Sequence, residues 1–116
     1  MIGEIWTYKA TKPSDSLQKV RPVLIVGNDK ENGLQFVDIN YVIISSSAVC
    51  GKYDIELKGY IAKKIGLNKD SVIKTTKIYT GSQTKLGSKI GELPLNKKEE
   101  FKQKYREYQE NILKNW

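Results

Sequence analysis

Four consecutive aliphatic residues, Val23-Leu24-Ile25-Val26, stand between Pro22 and the turn signal Gly27-Asn28-Asp29. A run this short and this apolar, stopped on both sides, reads as a strand buried on both faces in the middle of a small core. Proline donates nothing to a sheet ladder, so Pro22 belongs at the mouth of that strand. Arg21 is thereby placed on the rim, where a guanidinium on a rigid support is well suited to grip a phosphate. The same local pattern also fits an ordinary solvated charge at a strand end.

Around this strand the chain alternates short apolar runs with turn signals. Gly3 to Lys9, with Ile5, Trp6 and Tyr8, predicts a first strand. Thr11 to Lys19 is polar, holds Pro13, Ser14, Asp15 and Ser16, and reads as a mobile loop hanging over whatever Arg21 binds. Lys30 to Gly33 predicts a hairpin turn with Asn-Gly at its tip, and Leu34 to Ile44 a long strand ending in Ser45-Ser46-Ser47. Tyr53 to Leu57 predicts a strand, Lys58 to Asn68 a basic connector, and Asp70 to Ile73 a strand continued by Thr75 to Tyr79. Ser82 to Gly87 fits a short helical turn, and Lys89 to Leu93 a short strand. Asn96 predicts the N-cap of a terminal helix, with Glu99 in the capping-box position. Phe101, Tyr105, Tyr108, Ile112 and Leu113 follow at helical spacing and read as core or dimer packing. Five to seven short strands and one helix predict a single domain over residues 1–116, mostly β with a C-terminal helix, in the form of a small antiparallel barrel.

The composition narrows the chemistry. A formal net charge of +7 in 116 residues, with an isoelectric point near 9.4, points to a polyanionic partner. Histidine is absent and Cys50 is the single cysteine, which removes Ser-His and Cys-His nucleophile pairs, histidine metal sites and thiolate zinc sites. Cys50 follows Ala48-Val49 and reads as a small core filler. No secretory or membrane-spanning run is seen, so a soluble cytoplasmic protein is expected. Catalysis, if any, falls to Arg, Lys, Tyr, Ser, Thr or a carboxylate, and neither a cofactor nor a metal is expected.

Gly3-Glu4-Ile5-Trp6, then Lys19-Val20-Arg21-Pro22-Val23-Leu24-Ile25-Val26 with Asn28-Asp29, resembles the PemK/MazF family of toxins. Gly66-Leu67, Lys69-Asp70-Ser71-Val72-Ile73 and Lys85-Leu86 with Lys89-Ile90-Gly91-Glu92-Leu93 follow in the family's order, so the resemblance covers nearly the whole chain. It implies an SH3-like barrel, shared with the gyrase poison CcdB, and a homodimer with single-stranded RNA crossing at the subunit interface. The implied activity is endoribonucleolytic cleavage at a short sequence, in which the RNA 2′-hydroxyl attacks the adjacent phosphorus to leave a 2′,3′-cyclic phosphate. The implied protein partner is an antitoxin with an acidic, extended tail.

On this resemblance Arg21 matches the catalytic arginine, Ser45 the catalytic threonine position and Ser46 the serine that often follows it. Lys19, Lys74 and Lys77 are candidate phosphate contacts, and each also reads as solvated surface. Trp6 and Tyr8 are candidates to stack bases, with core packing the reading for at least one of them. The chain departs from the family where many members carry arginine-threonine: it has Tyr79-Thr80. Thr76 stands where several members place an acid, and Ser16, beside Asp15, where several place a glutamate in the first loop. Tyr79 can stack a base or donate a proton but does not replace the arginine's charge. Thr76, Tyr79 and Thr80 remain RNA-contact candidates. Two other readings stay open: a non-catalytic CcdB-like gyrase inhibitor, and a degenerate member that binds RNA without cutting it.

Overall fold

The computed structural model describes residues 1–10, 19–35 and 37–116. Ser16, Asp15 and the rest of the loop expected to overhang Arg21 lie outside them, as does Phe36. Lys19 is described only as the first residue of its strand.

Six strands form one antiparallel sheet: β1 (Glu4–Ala10), β2 (Lys19–Asn28), β3 (Asp38–Ser45), β4 (Ile55–Leu57), β5 (Ser71–Ser82) and β6 (Leu86–Glu92). The spatial order is β4-β5-β3-β2-β1-β6, so β2 and β3 are central. Each of β2's core residues is buried on its own side of the sheet: Leu24 packs with Ile5, Val42, Ile44 and Ile73, while Val23 and Ile25 pack with Tyr8, Ile39 and Tyr41. The aliphatic run therefore forms the two-sided strand expected of it. The sheet is barrel-like but not closed by hydrogen bonds, since β4 and β6 each pair on one side only among the described residues. Pro22 pairs with Thr7 within β2, beyond the last β2–β3 pair, Val23 with Ile43, where its missing N–H removes no ladder bond to β3.

Helices α1 (Tyr60–Ile65) and α2 (Leu95–Lys114) complete the fold. The stretch expected to be a basic connector thus contains a helix. Ala62 and Ile65, one turn apart, reach the core with Leu67, while Lys63 and Lys64 face solvent. Gly66, at φ +105°, ends α1 by returning its N–H to Ala62 and Lys63. Helix α2 begins one residue before Asn96, so the expected cap lies inside the first turn, where its backbone is already helical. Its apolar stripe is half-buried at Phe101, Tyr105, Tyr108 and Ile112 and exposed at Leu113: Phe101 packs on the core and Tyr108 lies 5.4 Å from the Tyr53 ring. No described helix is long and apolar enough to cross a membrane.

Two further expectations are corrected. Asp29–Asn32 is a 3₁₀ turn within the hairpin connection of β2 to β3, not a tight turn with Asn-Gly at its tip: Asn28 Oδ1 accepts from the Lys30 and Glu31 N–H groups, and Gly33 at φ +72° closes it. The following strand then starts at Asp38 rather than Leu34, because the Asp29 carboxylate holds the Asp38 N–H at 2.8 Å and fixes where pairing begins.

The register of β5 carries the most consequential irregularity. Ile44 pairs with Ile73, yet Val42 pairs with Ile78 instead of the Thr75 that regular pairing requires, so three extra residues bulge out in the segment Lys74 to Lys77. An odd insertion reverses the faces. Ile73 packs into the core beside Ile44, and Tyr79 emerges on the opposite face, paired with Tyr41. Beyond it, Gly81 leaves room for the Tyr8 hydroxyl, which would meet a Cβ at this position. Gly81→Ala is therefore expected to destabilise by about 1–3 kcal/mol in urea unfolding. Combined with Tyr8→Phe, the loss should be smaller than the sum of the two.

Candidate active site

Carrying the antiparallel register two residues beyond the Val23–Ile43 pair sets Arg21 opposite Ser45. Both positions lie on the sheet face that carries Val23, Ile43, Tyr41 and Tyr79, since residues two apart share a face. Arg21, Ser45, Lys74, Lys77 and Tyr79 line one cleft of about 180 Å³. The β5 bulge forms one wall of it. Arg21 also borders a second cleft of about 340 Å³, lined with Thr7, Ser46, Asn68 and Lys69. The guanidinium side chain thus stands on the partition between two grooves, with Ser45 to one side and Ser46 to the other. Ser45 is half-buried and Ser46 exposed.

The loop after β3 is held in place by an ion pair. Asp54, 5% exposed at its side chain, accepts from Lys74 Nζ at 2.6 Å and from the Gly51 N–H at 2.8 Å. Lys74 Nζ also donates to the Val49 carbonyl at 3.2 Å, and Lys104 Nζ on α2 donates to the Lys52 carbonyl. Ser45 Oγ in turn accepts the Ser47 N–H at 3.3 Å, which turns the chain away from the sheet at the end of β3. Lys74 lines the cleft, but its ammonium is committed to Asp54 and to the backbone. Lys77 is exposed at the same cleft.

Three aromatic rings run across this face. Tyr8 and Tyr41 have centroids 4.5 Å apart, and Tyr41 and Tyr79 lie stacked at 5.6 Å with an interplanar angle of 21°. Tyr8 and Tyr41 are buried, whereas Tyr79 is 43% exposed. Burial pushes the Tyr8 hydroxyl up and is the main reason the Tyr41 hydroxyl is pushed up to about 12, with Tyr8 adding to the effect.

The remaining candidates lie apart from the cleft. Trp6 is half-buried against the Tyr8 cluster, and its Nε1 donates to Glu4 Oε1 at 2.9 Å. That bond first, and then Lys89 at 3.0 Å, hold the Glu4 carboxyl below its ordinary value. Thr80 neighbours Tyr79 but faces the other way, with Asn40 Nδ2 donating to its hydroxyl at 3.0 Å. Thr76 sits in the bulge, half-buried, and borders neither cleft. Cys50 is half-buried outside both core clusters, so it is not the core filler expected; burial pushes its thiol up, away from thiolate reactivity. Sequence reasoning did not find Asp54 or Tyr41. Neither carries a local signal, because both act through β5 residues whose placement depends on the bulge.

The family described as PemK-like, MazF-like toxin of type II toxin-antitoxin system matches residues 2–108. No curated protein matches the chain in sequence. Among solved structures, one described as an endoribonuclease in complex with its cognate antitoxin from a mycobacterial species shares 16% identity. It covers 89% of this chain and 87% of its own, with a TM-score of 0.65. The Mycobacterium tuberculosis toxin MazF-mt6 is 19% identical over 86% of this chain and 91% of its own, also at 0.65. A MazE-MazF structure from Deinococcus radiodurans is 16% identical over 89% of both chains, at 0.66. At these identities the structures show a shared fold.

Two outcomes are expected of this geometry. Asp54→Ala strands the Lys74 ammonium and should lower the unfolding free energy by about 2–3 kcal/mol, less than for a fully buried pair because Lys74 is 21% exposed. In alkali, the unfolded chain ionises its tyrosines near 10 while folded Tyr41 resists until about 12. The stability contributed by the neutral phenol is complete below pH 10 and is lost as pH rises towards 12. Tyr41→Phe should therefore flatten the alkaline limb of the unfolding curve.

Proposed function

The chain belongs to the PemK-like, MazF-like toxins of type II toxin-antitoxin systems, and from that premise we propose that it is a sequence-specific, metal-independent endoribonuclease acting on single-stranded RNA. The observation that carries this reading is that Arg21 and Ser45, just past the last β2–β3 pair, line one cleft together with Lys77 and Tyr79.

In the proposed reaction the 2′-hydroxyl oxygen of the substrate attacks the adjacent phosphorus. A new P–O2′ bond forms, the P–O5′ bond breaks, the 2′ proton passes to water, and the departing 5′-oxygen takes up a proton. The products are a 2′,3′-cyclic phosphate and a 5′-hydroxyl. The protein supplies no nucleophile, which fits a chain without histidine. Its task is to hold the strand and to stabilise charge at phosphorus. Arg21 donates two parallel N–H groups to the non-bridging oxygens. A guanidinium keeps its proton at ordinary pH, so this role is electrostatic. Ser45 donates its hydroxyl to the same phosphate, and Lys77 contributes positive charge beside it. Ser46, which lines the second cleft with Arg21, contacts the strand on the other side of the scissile bond in this reading. Lys19, at the start of β2, Trp6, Thr76 and Thr80 are proposed only as outlying RNA contacts.

The partners follow from the same reading. A net charge of +7 suits both an RNA and the acidic tail of an inhibitory antitoxin laid across the Arg21 clefts. We propose a cytoplasmic homodimer, in keeping with the resemblance.

The test is incubation of the purified protein with a long single-stranded RNA in EDTA, followed by mapping of fragment ends. Discrete cuts ending in cyclic phosphate are expected. Arg21→Ala should lower the cleavage rate about 10²–10³-fold, as for loss of a charge-stabilising donor, and Ser45→Ala about tenfold. Intact RNA with the wild-type protein would overturn the reading, and gyrase inhibition that survives Arg21→Ala would replace it.

A further inference from the structure

The three-ring ladder ends in the cleft. Tyr8 is wedged against the Gly81 backbone, Tyr41 rests on Tyr8, and Tyr79 rests on Tyr41. The first two rings are 3% and 7% exposed, and the third is 43% exposed. Cross-strand pairing fixes the outer step, since Tyr41 and Tyr79 are directly opposed in the β3–β5 ladder. Cross-strand pairing also sets Tyr8 beside Arg21 in the β1–β2 ladder. An exposed tyrosine is usually free to turn. Tyr79 is restrained on one side, where it stacks on the buried Tyr41 ring at 5.6 Å.

We propose that Tyr79 is a base-stacking platform that holds the nucleotide flanking the scissile phosphate, and so sets the register of the RNA on Arg21 and Ser45. This rests on the ribonuclease reading of the same cleft. The chemistry is specific to a flat aromatic ligand attached to a phosphate. Tyr79 offers the ring, Arg21 and Lys77 in the same cleft offer the cationic groups, and no single one of them recognises both parts. A ring held before the ligand arrives loses little further freedom on binding. Stacking on a tyrosine face is tolerant of base identity, because every base presents a π-face. Tyr79 therefore reads the presence of a base rather than its sequence, and sequence discrimination arises elsewhere. The β5 bulge is what makes this possible: with regular pairing, Thr76 would lie opposite Tyr41 and the ladder would stop at a buried ring.

The experiment uses the full chain and two readouts. In the first, 2′-O-methyl oligonucleotides, which bind without being cut, are titrated against the wild type, Tyr79→Phe and Tyr79→Leu. Tyr79→Phe should bind as the wild type does, and Tyr79→Leu about tenfold or more weaker, the loss expected for one base–aromatic stack. In the second, each base around the mapped cleavage site is replaced in turn by an abasic ribonucleotide. One position should raise KM about tenfold for the wild type and leave Tyr79→Leu unaffected, while exchanging the base at that position has little effect. Equal binding by all three proteins, or an abasic penalty that is the same with and without the ring, overturns the proposal. Binding that depends on the Tyr79 ring without any cleavage would uphold the platform and sink the ribonuclease reading instead.

Discussion

The pairing of Val23 with Ile43 governs more of this molecule than any other contact. It lies at the last rung of the central β2–β3 ladder, between the two cores on either face of the sheet. Because both faces are buried, the register cannot slip: a shift of one residue would turn Val23 into the wrong core and Leu24 with it. Both strands run on past this rung, to Lys19 and to Ser45. Arg21 and Ser45 come to line one cleft as a consequence of hydrophobic packing further up the sheet. In this fold a polar site is positioned by apolar register.

The second constraint is the three-residue insertion in β5. It converts a strand that would stay on one face into one that serves the core at Ile73 and the cleft at Tyr79. The segment between them supplies the cleft wall and the two lysines. One of these, Lys74, is used to anchor the loop after the serines through Asp54. The other, Lys77, is left at the cleft. Two residues of the same type three positions apart thus have different employment, decided by which one meets a buried carboxylate.

These two constraints explain what the sequence disclosed and what it withheld. The two-sided strand, β1, most of β5 and the terminal helix were legible because their apolar spacing is local. Arg21 and Ser45 were legible as candidates through the family resemblance, and their opposition is a matter of register that spacing alone does not state. Helix α1 was hidden because three lysines and two glycines mask an apolar pair one turn apart, Ala62 and Ile65. The early start expected for β3 failed at Asp29, whose carboxylate holds Asp38 from a distance of nine residues. The Asn96 cap failed because Pro94 had already set the helix start. Lys74 and Lys77 looked alike in sequence, and Thr80 looked like a companion of Tyr79, until pairing placed them differently.

The central claim is that the protein positions a phosphate for attack by the RNA's own hydroxyl and contributes charge, not a nucleophile. The most direct measurement replaces the single ribose that carries the attacking 2′-hydroxyl with deoxyribose in an otherwise all-RNA oligonucleotide containing the mapped site. The account predicts that this strand binds as the parent does and is not cut at that bond. Cleavage there at the parent rate would mean that water or a side chain attacks phosphorus, and would contradict it.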